Sequence, residues 1–227
     1  MNQAIIFDFD GVIVESEPLH YEAFRSVLPE FGIQLTRESY YARYVGLADR
    51  EIVRRLLADH DRRLTQDETE GLMRKKNTEY ERQIMKGIDP LPGVAELIKR
   101  TSNQHPLAIC SGSKRREISM ILDQIGLSAF FSVIVASDDV LSSKPDPAGY
   151  LLALSQLRRA KPDLTAEKCL VFEDSEAGIS AAKAAGMKVI AIRKDDLGTD
   201  TASADGTIAS FLELENVDLA SLVSESA

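Results

Sequence analysis

The sequence predicts an α/β protein: a Rossmann-like parallel sheet core domain with an inserted α-helical cap domain. Three observations carry this. Short apolar runs, several rich in Ile and Val, recur along the chain. Helix-like segments separate the later runs, and one long strand-free interval follows the first. Strands that read as continuous apolar runs, alternating with helices, belong to a parallel sheet covered on both faces.

The first run is AIIF (4–7), too short for a helix. From about Glu17 to Lys86 the pattern is helical, with PLHYEAFRSVLPEFG, REIVRRLLADHDRR and DETEGLMRKKNTEYERQIM as its segments. Pro18 sits near a helix start, with Ser16 or Glu17 as its cap. GIDPLPG, with Pro90, Pro92 and Gly93, reads as the hinge that returns the chain to the sheet. Residues 1–15 and 88–227 are therefore expected to form the core, and 16–87 the cap.

Five more runs follow: PLAIC (106–110), FSVIVA (131–136), CLVF (169–172), KVIAI (188–192) and a weaker GTIAS (206–210). The helices between them are GVAELIKRTS, KRREISMILDQIG, PAGYLLALSQLRRA and EAGISAAKAAG, with Gly126 and Gly186 as C-caps. The closing ENVDLASLVSESA suggests a short, frayed helix.

Composition sets outer limits on function. The chain has 227 residues, 44% of them hydrophobic and 28% charged, enough for a full core without disulfide or metal staples. Its net charge of −9 argues against nucleic-acid and anionic-membrane partners, but not against an anionic substrate met by a local cation. Cys110 and Cys169 each lie inside an apolar run and read as buried thiols of a reducing compartment. No basic leader region precedes the first run and no apolar stretch reaches membrane-spanning length, so the expected location is cytoplasmic. The expected assembly is a monomer or weak dimer.

Ligands of an open α/β sheet sit beyond the carboxyl ends of its strands. The residues after each run are therefore informative. Asp8 and Asp10 follow the first, Ser111, Gly112, Ser113 and Lys114 the second, Asp138, Asp139 and then Lys144 the third, and Glu173 and Asp174 the fourth. Asp8, Asp10, Glu173 and Asp174 gathered around Lys144 leave negative charge in excess, and close like charges force protonation unless a cation intervenes. An all-oxygen, carboxylate-rich site selects a hard divalent ion such as Mg²⁺. Ser111, at a strand-to-helix turn, is either a helix cap or part of an anion site made with backbone N–H groups. Lys144, before Pro145, is either a turn lysine or a phosphate-binding one.

With these residues in place, DFDGVIVESEPLH resembles the first motif of the haloacid dehalogenase superfamily, in its phosphatase and β-phosphoglucomutase branch. Ser111, Lys144-Pro145 and Glu173-Asp174 continue that family's pattern in order, and EDSEAGISAAKAAGM and SSKPDPAGYLLAL match it closely. The resemblance spans essentially the whole chain. It implies that Asp8 is the nucleophile that forms an aspartyl phosphate. Asp10 would protonate the leaving oxygen and then activate water. Mg²⁺ would be held by Asp8, the Asp10 main-chain carbonyl, Asp174, and Glu173 directly or through water. Ser111, Gly112 and Lys144 would hold the phosphoryl oxygens.

Glu15 and Ser16 depart from the family pattern, where Asp and Thr are common; both changes are conservative and lie in the segment leading to the cap. His20 is either a helix-face or hinge residue or a substrate contact. In YVGLADRE, Gly46 and Arg50 are the candidates for reaching the substrate, Arg50 being otherwise a solvent-facing residue at a helix start. Mutase relatives carry an arginine three residues after the corresponding glycine. Here Asp49 stands in that place and Arg50 follows it. Lys114 matches a mutase-like core position that phosphatases share.

The expected function is Mg-dependent hydrolysis of a small phosphorylated metabolite, of sugar phosphate or phosphoglycolate type. A β-phosphoglucomutase-type phosphosugar mutase is the alternative. A receiver domain is excluded by motif order and by the helical insertion. A dehalogenase has no use for Asp10 as an acid.

Overall fold

The computed structural model describes residues 4–45, 47, 49–193, 200–217 and 219. Gly46 and most of the C-terminal ENVDLASLVSESA lie outside the described residues. The chain divides into two compact units, residues 1–15 with 88–227, and residues 16–87.

In the first unit, β1 (Ala4–Phe7), β2 (Leu107–Cys110), β3 (Phe131–Val135), β4 (Cys169–Glu173), β5 (Lys188–Ile192) and β6 (Gly206–Ile208) form one sheet in the order β3-β2-β1-β4-β5-β6. Every pairing is parallel. All residues of β1, β2 and β4 are buried, which is why their runs show no polar alternation. The expected Rossmann-like core is present.

Side chains alternate between the two faces of the sheet. On one face Ala4, Ile6, Ala108, Cys110, Cys169 and Val171 pack with α7 (Ala148–Leu157) and α8 (Glu176–Ala184) through Tyr150, Leu154, Ile179 and Ala182. On the other, Phe7 stacks on Phe172 at 5.3 Å between ring centres, and Phe211 meets the Phe172 ring edge-on at 5.2 Å. The other crossover helices of this unit are α5 (Val94–Ser102) and α6 (Arg115–Gln124).

The second unit is helical: α1 (Glu17–Val27), α2 (Arg37–Arg43), α3 (Asp49–Asp59) and α4 (Gln66–Ile84). Its own core contains Phe24, Leu28, Tyr40, Tyr44, Ile52, Leu56 and Leu72. Thr65 starts α4 with a capping box, accepting from Glu68 N–H while Glu68 reaches back to Thr65 N–H. Helix α2 was not foreseen. At seven residues, RESYYAR is too short to show an apolar period, and it is started by the Thr36 cap. No helix among the described residues is long and apolar enough to cross a membrane.

Candidate active site

Strand order reverses between β1 and β4, which lie side by side although β2 and β3 intervene in sequence. At such a switch point the flanking connections diverge and a crevice opens beyond the carboxyl ends. Asp8 leaves β1 there, with its N–H donating to Phe172 carbonyl at 2.9 Å, and Glu173 ends β4 next to it. The chain after Asp8 is held as a tight loop. Gly11 takes φ +82°, its N–H donates to Val14 carbonyl at 2.7 Å, and Val12, Ile13 and Val14 are fully buried. Positive φ is the reason for glycine at that position.

Lys144 binds the acids together. Its ammonium donates to Asp8 Oδ1 at 2.5 Å, to Glu173 Oε1 at 2.5 Å and to Cys110 carbonyl at 3.0 Å. Ser111 continues the β2–β3 ladder by donating its N–H to Val135 carbonyl at 2.9 Å. Its hydroxyl oxygen accepts from Ser113 N–H at 3.0 Å, so the hydroxyl hydrogen can still be donated. Ser113 in turn donates its hydroxyl to Asp10 Oδ2. A Cβ built on Gly112 meets nothing within 4 Å, so the backbone there borders open space that a ligand can enter. Lys114 precedes α6, half exposed, 3.6 Å from Glu117.

Glu173 is fully buried and fully engaged. Oε1 accepts from Lys144 and, at 3.0 Å, from Tyr150 hydroxyl. Oε2 accepts from the N–H groups of Asp174 and Ser175, at 2.9 and 3.0 Å, and from Ser175 hydroxyl at 3.0 Å. The first turn of α8 presses on this carboxylate so closely that a Cβ on Gly178 would stand 1.6 Å from Oε1.

Electrostatics divides the acids. Burial raises the Asp8 carboxyl well above its ordinary value; Lys144 opposes the rise, while Glu173, Asp174 and Asp10 add to it. Burial also acts on Glu173, but Lys144, the Ser175 N–H and the Tyr150 hydroxyl outweigh it and hold the carboxyl below its ordinary value. One ammonium thus serves a cluster that needs more positive charge. Asp8, Glu173 and Asp174 each offer a carboxylate oxygen within 4.8 Å of the others, and this all-oxygen set fits a hard divalent cation. Glu173 already accepts from five donors, more than its lone-pair positions.

The structure therefore brings Asp8, Asp10, Ser111, Gly112, Lys144, Glu173 and Asp174 to one end of the core sheet. His20 and Arg50 belong to the helical unit. There His20 stacks on Tyr80 with ring centres 4.0 Å apart, and its Nδ1 lies 2.8 Å from Lys76 Nζ. Lys76 is completely buried and donates to Asp49 Oδ2 at 2.6 Å. Arg50 is exposed in the first turn of α3. Sequence reasoning missed Lys76 and Tyr150, and it placed Ser113 after the second run without foreseeing its contact with Asp10. Lys76 lies in the charged run RKKNTEY, where nothing separates a buried lysine from its solvated neighbours.

The sequence profile of the family described as haloacid dehalogenase-like hydrolase matches residues 5–192. A phosphorylated carbohydrates phosphatase of Thermotoga maritima is 34% identical over 189 residues, covering 83% of this chain and 83% of that protein. The fructose-1-phosphate phosphatase YqaB of Escherichia coli is 30% identical over 83% of this chain and 95% of its own. Among solved structures, a β-phosphoglucomutase of Clostridium difficile superposes with a TM-score of 0.82 at 25% identity, covering 99% of this chain and 98% of that one.

Proposed function

We propose, from the premise that the chain belongs to the haloacid dehalogenase-like hydrolase family, that it is a Mg²⁺-dependent phosphatase of small phosphorylated metabolites. The observation that carries this is the Lys144 ammonium held 2.5 Å from both Asp8 and Glu173 at the switch point of the sheet. Similarity to carbohydrate phosphate and fructose 1-phosphate phosphatases supports a sugar phosphate as the substrate class.

In this reading an Asp8 carboxylate oxygen attacks the phosphorus as the ester P–O bond breaks, and the Asp10 carboxyl gives its proton to the departing alcohol oxygen. Asp10 then takes a proton from water, whose oxygen attacks the phosphorus. The P–O bond to Asp8 breaks, inorganic phosphate leaves, and the Asp8 carboxylate is restored. Ser113 holds Asp10 through its hydroxyl. Ser111 hydroxyl, the backbone at Gly112 and the Lys144 ammonium receive the phosphoryl oxygens, work that is mostly positioning and charge neutralisation. Asp8, the Asp10 carbonyl and Asp174 would hold Mg²⁺, with Glu173 acting through water. Bound there, the ion supplies the positive charge that keeps Asp8 ionised and offsets charge on the phosphoryl group.

Phosphatase is favoured over mutase by the helical unit. Where mutase relatives carry an arginine for the second phosphate this chain has Asp49, whose carboxylate is bound by Lys76 at 2.6 Å. The deciding assay is phosphate release with Mg²⁺ across sugar phosphates, phosphoglycolate and nucleotides, with β-glucose 1-phosphate isomerisation measured in parallel. Phosphate release should fall by about a thousandfold or more in Asp8→Asn. Release that survives that substitution removes the mechanism, and isomerisation without free phosphate selects the mutase.

A further inference from the structure

The core face of α7 carries a tyrosine that the reaction scheme above does not use. Tyr150 is completely buried in the first turn of the helix, and it touches both members of the Lys144–Glu173 pair. Its hydroxyl donates to Glu173 Oε1 at 3.0 Å, and the Lys144 ammonium lies 5.1 Å from its ring centre. The same oxygen, Oε1, also accepts from Lys144.

We propose that Tyr150 is a positioning residue for phosphoryl transfer: by occupying Glu173 Oε1 it limits the hold of Glu173 on Lys144 and leaves that ammonium directed at Asp8. The proposal rests on the phosphatase reading for the role of Lys144 and on geometry for the rest.

The competition is local and countable. Oε2 is taken by the Asp174 and Ser175 donors, so Lys144 and Tyr150 share the one remaining oxygen. An acceptor divided between two donors binds each less strongly than it would bind one alone. Without the hydroxyl, Oε1 faces Lys144 only, and the ammonium is drawn towards Glu173. Asp8, and any phosphoryl group bonded to it, then loses part of its cation. The tyrosine ring offers a second restraint, since its face attracts the ammonium from below. Phenylalanine at this position keeps the ring and removes only the hydroxyl, so it separates the two contributions.

The test compares wild type, Tyr150→Phe, Glu173→Gln and the double variant, each shown to be folded by thermal unfolding. The readouts are kcat and KM for the best phosphate ester, and the affinity for orthovanadate with Mg²⁺ by calorimetry. Orthovanadate mimics the phosphoryl group and needs no turnover. Tyr150→Phe should lower kcat and weaken orthovanadate by about tenfold, with KM little changed. On the Glu173→Gln background the same substitution should have almost no further effect, because its path runs through Glu173. A purely structural tyrosine would give the full loss on both backgrounds, and that result overturns the proposal. Orthovanadate affinity equal to wild type in Tyr150→Phe also overturns it. Failure of wild type to hydrolyse any ester counts against the phosphatase reading, while the orthovanadate comparison still decides the role of Tyr150.

Discussion

Asp8 and Glu173 share one lysine and are driven in opposite directions. Asp8, raised chiefly by burial, binds its proton more tightly in the folded state than in the unfolded one. Its contribution to stability is therefore favourable below the unfolded value and is lost as pH rises through the folded value. Glu173 is lowered, so its contribution is present above the unfolded value and is lost as pH falls through the folded one. At neutral pH, without a divalent cation, Asp8 is thus a destabilising group. Asp8→Asn in the presence of a chelator at pH 7 should raise stability, with the advantage shrinking towards acid pH. Adding Mg²⁺ should stabilise wild type more than the variant. Thermal unfolding across pH checks this, and a less stable variant at pH 7 would contradict it. Individual residues of the core site were legible because each apolar run ends in its chemistry: AIIF in Asp8, CLVF in Glu173. Tyr150 was not, since a helical tyrosine reads as packing and its partner lies 23 residues away, brought near only by the packing of α7 on the sheet.

At the scale of elements, α8 shows why small residues surround the acidic pair. Ala181 and Ala182 are buried, and Gly178 lies against the Glu173 carboxylate. A methyl group on Gly178 would have to displace either α8 or Glu173, and through Glu173 it would displace Lys144. Gly178→Ala should destabilise the protein by about 3 kcal/mol, at the upper end for overpacking, and should lower phosphate release more than the folded fraction alone explains. Equal losses in folded fraction and activity would show that α8 does not transmit the clash. The helical unit uses a different device, an ion pair of the buried Lys76 with the partly exposed Asp49 that ties α3 to α4. Asp49→Ala leaves a buried ammonium and should cost about 3 kcal/mol, whereas adding Lys76→Met should recover much of the loss. Chemical denaturation of the single and double variants measures both steps. Neither device is visible in a periodicity plot. Gly178 reads as an ordinary weak point in a helix, and its necessity appears only when β4 and α8 are placed together.

At the scale of the whole molecule, the insertion leaves and rejoins the core at one place. Val14 and Pro90 form an antiparallel bridge, and Leu91 N–H donates to Ile13 carbonyl at 2.8 Å. The core therefore brackets residues 16–87 between two chain segments that it holds together itself. The sheet, its covering helices and every member of the Asp8–Lys144–Glu173 cluster lie in the bracketing unit. Replacing residues 16–87 by a short Gly/Ser linker closes a small loop across an existing bridge, and loop closure grows costly only slowly with length. The shortened protein should fold cooperatively and hydrolyse an activated aryl phosphate in an Asp8-dependent manner. It should lose discrimination among sugar phosphates, because Gly46 and Arg50, the sequence's candidates for reaching the substrate, go with the deleted segment. Retention of wild-type ranking among the sugar phosphates would place specificity in the core loops around Ser111 and Lys114 instead. A linker variant that does not fold would mean that the helical unit supplies stability the core lacks, contrary to the separate cores seen in the two units.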